Sequence, residues 1–274
     1  MMRHHGYGNE YTNSYDVNRV DQQAVNAFVA RVFGWMFFGL LVTALTTFGI
    51  LYGINVNYAF AEFIIRMQQI VFLVFIVEFL LVISISARVA KMNPSTAKLL
   101  YFVYAVLNGF TFGLFAVLYA YHTGGGMYTL GMAFGITALC FGIMAAYGLI
   151  TKADLSRFGN ILFMGLIGLI IISVVNIFVG SGMMDFLICV VGLFLFLGIT
   201  AHRTHMIKHH FAQAAIRSAA TVNHEDDEYR YGYSGQSQTA LASNLAIVGA
   251  LMLYLAFINM FMFILRLMGG GSRR

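Results

Sequence analysis

Seven stretches of about twenty residues, uncharged or nearly so, follow one another along this chain, and a run of that length is what an α-helix needs to cross a hydrocarbon core roughly 30 Å thick. They run from about Val32 to Tyr52, Gln69 to Ala87, Leu99 to Tyr121, Met127 to Ile150, Ile161 to Val179, Met183 to Ala201 and Leu241 to Leu265. The expected fold is therefore an all-α membrane protein, a seven-transmembrane-helix bundle. Composition agrees: 60% of the 274 residues are hydrophobic and 10% charged, where a soluble domain carries roughly a quarter charged residues. So few charges cannot cover the apolar mass of a soluble protein this long, which makes the lipid bilayer the expected solvent and first partner.

The domain organisation follows from the same pattern. Residues 1–27 are polar, lack the apolar core of a cleavable signal, and read as a cytoplasmic tail, so the first span serves as its own targeting signal. Residues 28–269 form the transmembrane domain, with 202–240 a cytoplasmic loop inside it, and 270–274 a short basic tail. The breaks carry loop chemistry. Arg88 to Ala97 holds the single Pro94 in Asn-Pro-Ser-Thr, a helix stop followed by a capping start. Gly124 to Gly126 and Gly180 to Gly182 are turns, and Asp154 and Ser156 can accept from the exposed amides that open the next helix. The stretch from His202 to Thr239 is long, His-rich and then acidic at Glu225 to Glu228, and is large enough to recruit a partner.

Basic loops stay in the cytoplasm. With the amino terminus inside, twelve of the sixteen Lys and Arg fall in inner segments, and only Arg66, Arg266, Arg273 and Arg274 fall outside. The expected location is a cell membrane, with the amino terminus cytoplasmic and the carboxyl terminus external. The net charge of +5 is scattered over loops rather than clustered with aromatics, so no nucleic-acid partner is expected. Cys140 and Cys189 lie inside apolar runs and read as small hydrophobes without a disulfide. The pairs Gly109/Gly113 and Gly131/Gly135 are small residues four apart that let helix backbones approach, and Asn108, Asn176 and Asn259 are expected to bond between helices.

The bundle resembles the transmembrane Bax inhibitor motif family, or Bax inhibitor family, in its bacterial branch. The resemblance is carried by Phe33-Gly34-Trp35-Met36-Phe37-Phe38-Gly39-Leu40, by Thr151 to Gly159 running into Phe163-Met164-Gly165 and Val175-Asn176-Ile177-Phe178, and by Leu253 to Phe261 before Leu265-Arg266. It implies a seven-helix fold. For some members it implies a pH-sensitive calcium leak, and for others the regulation of membrane proteolysis or of stress and death pathways. In the leak type, two aspartates in the last two helices share a proton, because two carboxylates close together in low dielectric cannot both ionise cheaply. A basic residue at the end of the second helix works with them. This sequence departs at both aspartates: Arg203 stands in one place, within Ala201-His202-Arg203-Thr204-His205, and Ala256 in the other, within Leu253-Tyr254-Leu255-Ala256-Phe257.

Glu78 is the acid deepest in an expected span and matches a glutamate of the family's second helix; it reads either as an ion or proton site or as a structural acid bonded within the bundle. Arg203 is expected either to partner Glu78, repelling cations from the inner mouth, or to snorkel to the interface. Arg88, with Lys91, is the candidate for the basic end of the second helix, though positive-inside topology accounts for both equally well. His202, His205 and His209 recur at helical spacing beside His210 and are weak metal candidates; no metal or other cofactor is expected. No phosphate loop, zinc-protease His-Glu pair or glycine-flanked serine occurs, so no enzyme is expected. The expected function is that of a non-enzymatic Bax inhibitor-type protein of the bacterial inner membrane. It would modulate membrane-protein quality control or stress and ion homeostasis, with a membrane protease or other membrane protein as partner. The alternative is a leak of calcium or another cation with altered gating.

The charge bias gives a first prediction: cysteines placed at Thr221 are labelled from the cytoplasmic side and those placed after Gly269 from outside, and reversed accessibility would refute it.

Overall fold

The computed structural model describes residues 10–67, 71–88, 93–123, 126–214, 216 and 234–270. The first nine residues of the tail, Lys91, Gly124, Gly125, the acidic run Glu225 to Glu228 and residues 271–274 lie outside the described residues. The described chain is helical almost throughout: α1 (Glu10–Val56), α2 (Tyr58–Met67), α3 (Val71–Arg88), α4 (Pro94–Thr123), α5 (Gly126–Ile150), a 3-10 turn (Leu155–Phe158), α6 (Gly159–Val179), α7 (Gly182–Met206), a π turn (Ile207–Phe211) and α8 (Ser234–Gly270). Helix is what a lipid solvent selects, because each backbone amide finds its acceptor within its own segment.

Among the described residues six helices are long and apolar enough to cross a membrane: Gln22–Val56, Pro94–Val117, Tyr128–Ile150, Leu155–Val179, Gly182–Ala214 and Ala242–Gly269. Of the remaining expected stretch, Gln69 to Ala87, the described residues fold as part of α3, which is not among the six. Two boundaries differ from expectation. The first helix begins at Glu10 rather than near Val32, and Val25, Phe28 and Val29 enter the main core because their spacing keeps them on one helix face. The sixth stretch does not end at Ala201: α7 continues through His202 and His205 into the π turn, since these histidines pack inside.

Punctuation follows the local chemistry. Pro94 opens α4, with Asn93 Oδ1 accepting from the Ser95 amide at 3.2 Å. Asp154 caps the 3-10 turn by accepting from the Ser156 amide at 3.1 Å. Gly180, at φ 66°, ends α6, and Ser181 caps α7.

The last helix, α8, is the axis of the bundle, packed by α1, α4, α5 and α7. Two thirds of its most apolar window (67%) is buried, against 6% for α6, which is apolar on every side and faces lipid. Helices α1 and α4 run parallel: Trp35 pairs with Tyr101, Thr43 with Ala105, Thr47 with Gly109 and Ile50 with Gly113, both members advancing together.

The glycine pairs part company. A Cβ on Gly109 would lie 2.6 Å from Thr46 Cβ and 2.7 Å from the Thr43 carbonyl, and one on Gly113 2.8 Å from Ile50 Cδ1, so this pair is what lets α1 and α4 touch. At Gly131 and Gly135 no atom stands within 4 Å, and the close helix approach expected there is absent. Gly109→Ala is therefore expected to cost about 1–3 kcal/mol by forcing the two backbones apart, whereas Gly135→Ala stays within about 0.5 kcal/mol of wild type; thermal unfolding in detergent reads both.

Candidate functional site

The bundle interior holds a connected set of polar side chains on α1, α3, α4 and α8. Thr43 of α1 lies 3.0 Å from both the Gly39 and Ala105 carbonyls and 2.7 Å from the Tyr254 hydroxyl. Having one proton to give, Thr43 donates it toward the carbonyls, which makes Tyr254 the donor in the shortest contact. Tyr101 of α4 donates to the Trp35 carbonyl at 3.0 Å, and Gly39 leaves the room its hydroxyl occupies. The Tyr101 and Tyr104 rings meet Tyr254 edge-on at 6.1 and 5.7 Å.

Glu78 of α3 is buried against α4, where one oxygen accepts from the Thr111 hydroxyl at 2.8 Å. It lies within electrostatic range of Tyr104 and Tyr254. The structure does not bring Arg203 to it: α3 packs on α4, whereas α7 packs on α5, α6 and α8, which places the two groups in different helix pairs. Arg203 directs Nη1 at the Met252 sulfur, 3.7 Å away. Met252 lies one turn before the buried Ala256 on α8, so Arg203 reaches the helix one turn from that alanine. Arg88 ends α3, exposed and without an ion pair among the described residues.

The histidines fasten the α5–α6 turn. His202 Nδ1 lies 2.8 Å from the Leu155 carbonyl, His210 Nε2 3.3 Å from the Ser156 hydroxyl, and His205 and His209 stack at 4.3 Å between centroids. Lys208 caps the end of α5 through the Leu149 carbonyl at 2.7 Å. In the exposed loop, the Ser156 hydroxyl and amide hold the Asp154 carboxyl below the usual carboxylate range. Among the described residues no three His, Cys, Asp or Glu converge as a metal site. Cys140 and Cys189 are free thiols.

Three features escaped the sequence reading. Thr111, the donor to Glu78, sits thirty-three positions away, and a threonine in an apolar run gives no sign of its partner. The three asparagines do not reach across the bundle as Thr43, Tyr101 and Thr111 do: Asn108 and Asn259 donate to their own helices at Tyr104 and Leu255, and Asn176 accepts from the Ser181 amide. At the opposite end from Arg203, Asp185 of α7 pairs with Arg266 of α8 beside a cavity of about 330 Å³ that Ser173 and Asn176 also line. One acid early and one base late in otherwise apolar helices was the available signal.

A multi-pass α-helical membrane protein with a buried acid bonded to a threonine of the neighbouring helix, and an arginine held against a methionine between its last two helices, is the class these features define. A family model described as inhibitor of apoptosis-promoting Bax1 matches residues 25–273. The chain belongs to the Bax inhibitor family. It is 31% identical over 245 residues to the inner membrane protein YbhL of Escherichia coli strain K12, covering 89% of this chain and 92% of that one. It is 33% identical over 249 residues to a protein of Deinococcus radiodurans (91% and 92% covered), and 29% identical over 257 residues to a membrane protein of Streptococcus pyogenes (94% and 98% covered).

Thr111→Val removes the donor from a buried carboxyl and is expected to cost about 1–3 kcal/mol, while Tyr254→Phe, which leaves Thr43 its carbonyls, costs about 0.6–2 kcal/mol. Thermal unfolding in detergent measures both, and an unchanged midpoint for Thr111→Val would mean that other groups hold Glu78.

Proposed function

We propose that this chain is a seven-span, non-enzymatic protein of the bacterial inner membrane that modulates other membrane proteins, in quality control or stress and ion homeostasis, instead of conducting ions itself. The count of seven rests on direction: α1 and α4 are parallel, so the chain must return across the bundle between Val56 and Pro94. The 18 residues of α3 are about 27 Å long and can make that crossing. An odd number of spans puts the termini on opposite sides, which agrees with a cytoplasmic amino terminus read from the basic residues. The name of the Escherichia coli relative supports the inner membrane as the location.

The observation that carries the non-conducting reading is the contact of Arg203 with Met252 of α8, one turn from the buried Ala256. A permanently charged guanidinium and a methyl group occupy the positions where the leak type, by the family resemblance, has two carboxylates. No proton can be shared there, and a fixed positive charge opposes a divalent cation. The buried Tyr101 and Tyr104 rings pack edge-on against Tyr254 in the bundle interior. A membrane protease or another membrane protein is the fitting partner for a bundle of this kind.

The second reading, a calcium or other cation leak with different gating, is favoured by Glu78, an acid buried in a spanning segment. Calcium flux into proteoliposomes separates the two. The wild-type protein is expected to pass no more calcium than empty vesicles, and Arg203→Asp with Ala256→Asp to raise flux and make it pH-dependent, with each single change doing less. Steep pH-dependent flux in the wild type would sink the non-conducting reading and make Glu78→Gln the next variant.

A further inference from the structure

A cleft of about 300 Å³ opens between α1 and α5. Both helices pack on α8, and where they diverge Phe112 and Phe115 of α4 and Phe257 and Phe261 of α8 form the floor. Along α1 the cleft runs from Leu40 to Leu51, about 16 Å at the rise of an α-helix. That is half of a hydrocarbon core roughly 30 Å thick, the depth of one leaflet. The polar side chains of the α1 wall are already satisfied, Thr43 by Tyr254 and the Ala105 carbonyl, Thr47 by the Gly109 carbonyl at 2.9 Å, so nothing inside calls for water. The mouth is continuous with the lipid-facing surface: Phe48 and Phe134 line the cleft and are 56% and 45% exposed. Gly131 of α5 keeps it open, since no atom stands within 4 Å of where its side chain would be.

We infer that this cleft is a binding site for one acyl chain of a membrane phospholipid from the leaflet at the Val56 end of α1. Its apolar lining and its length of about one leaflet match an extended run of methylenes. Left empty, the aromatic floor forfeits dispersion contacts that a chain supplies. The inner end of the bound chain lies beside Thr43, so occupancy braces the α1–α8 contact at its hydroxyl link.

The test uses the full chain in phosphatidylethanolamine–phosphatidylglycerol vesicles containing a phospholipid with a diazirine at mid-chain. After photolysis, adducts on residues 48–51, 131–134 and 257–261 are expected to exceed those on the lipid-facing surface of α6 several-fold. Gly131→Phe, which puts a ring into the cleft, is expected to reduce them to the α6 level, and Gly131→Leu serves should the phenylalanine variant not fold. Gly135→Phe, off the cleft, is expected to retain the enrichment. Even labelling of all lipid-facing surfaces, or enrichment that survives filling the cleft, would overturn the assignment. Disulfide crosslinks joining two copies between cysteines placed at Phe48 and Phe134 would assign the cleft to a second chain and overturn it as well.

Discussion

The hydroxyl of Thr43 joins three helices at one point. It bonds the carbonyl of its own preceding turn at Gly39, the Ala105 carbonyl of α4 and the Tyr254 hydroxyl of α8. In water, apolar surface would drive these helices together, but lipid is as apolar as leucine, and close packing and hydrogen bonds must do it instead. Close packing is available because Gly109 and Gly113 bring α4 onto α1, which is what puts a main-chain carbonyl within reach of a threonine on another helix. Once α4 is fixed, Thr111 is fixed with it, and so is the carboxyl of Glu78. Once α8 is fixed, so is Met252, the side chain Arg203 meets.

The spans were legible because the solvent imposes them: an uncharged run of twenty residues has one structural outcome in a bilayer. Their ends were less so. Gln22 and Asn26 sound like a tail, yet Val25, Phe28 and Val29 between them are spaced for a helix that is already packing. His202 and His205 sound like a loop, yet they are held inside by the Leu155 carbonyl and by His209. Identical glycine spacings on α4 and α5 had opposite outcomes, since spacing describes one helix and a close contact needs two. Glu78 stood out as a lone acid, but its partner did not, because pairing across helices is set by the packing of α3 on α4 and leaves no periodic trace in either.

The separation of Glu78 from Arg203 has a physical logic. An acid and a base meeting in the core would lose most of their hydration for one Coulombic contact, a trade that frequently fails to stabilise. Here the acid takes a neutral donor, and the guanidinium, delocalised and weakly hydrated, rests against a polarisable sulfur. Among the described residues the ion pair between spanning helices, Asp185 with Arg266, is at the far end of the bundle, where both side chains remain partly exposed.

The central position of α8 bears on how the protein is made. Synthesis proceeds from the amino terminus, so α1 to α7 leave the ribosome before the helix around which α1, α4, α5 and α7 are arranged. Until α8 arrives, Thr43 lacks Tyr254 and Arg203 lacks Met252, although α1 can already seat on α4 and α7 on α5 and α6. Synthesis that stalls short of α8 therefore leaves helix pairs without the element that joins them.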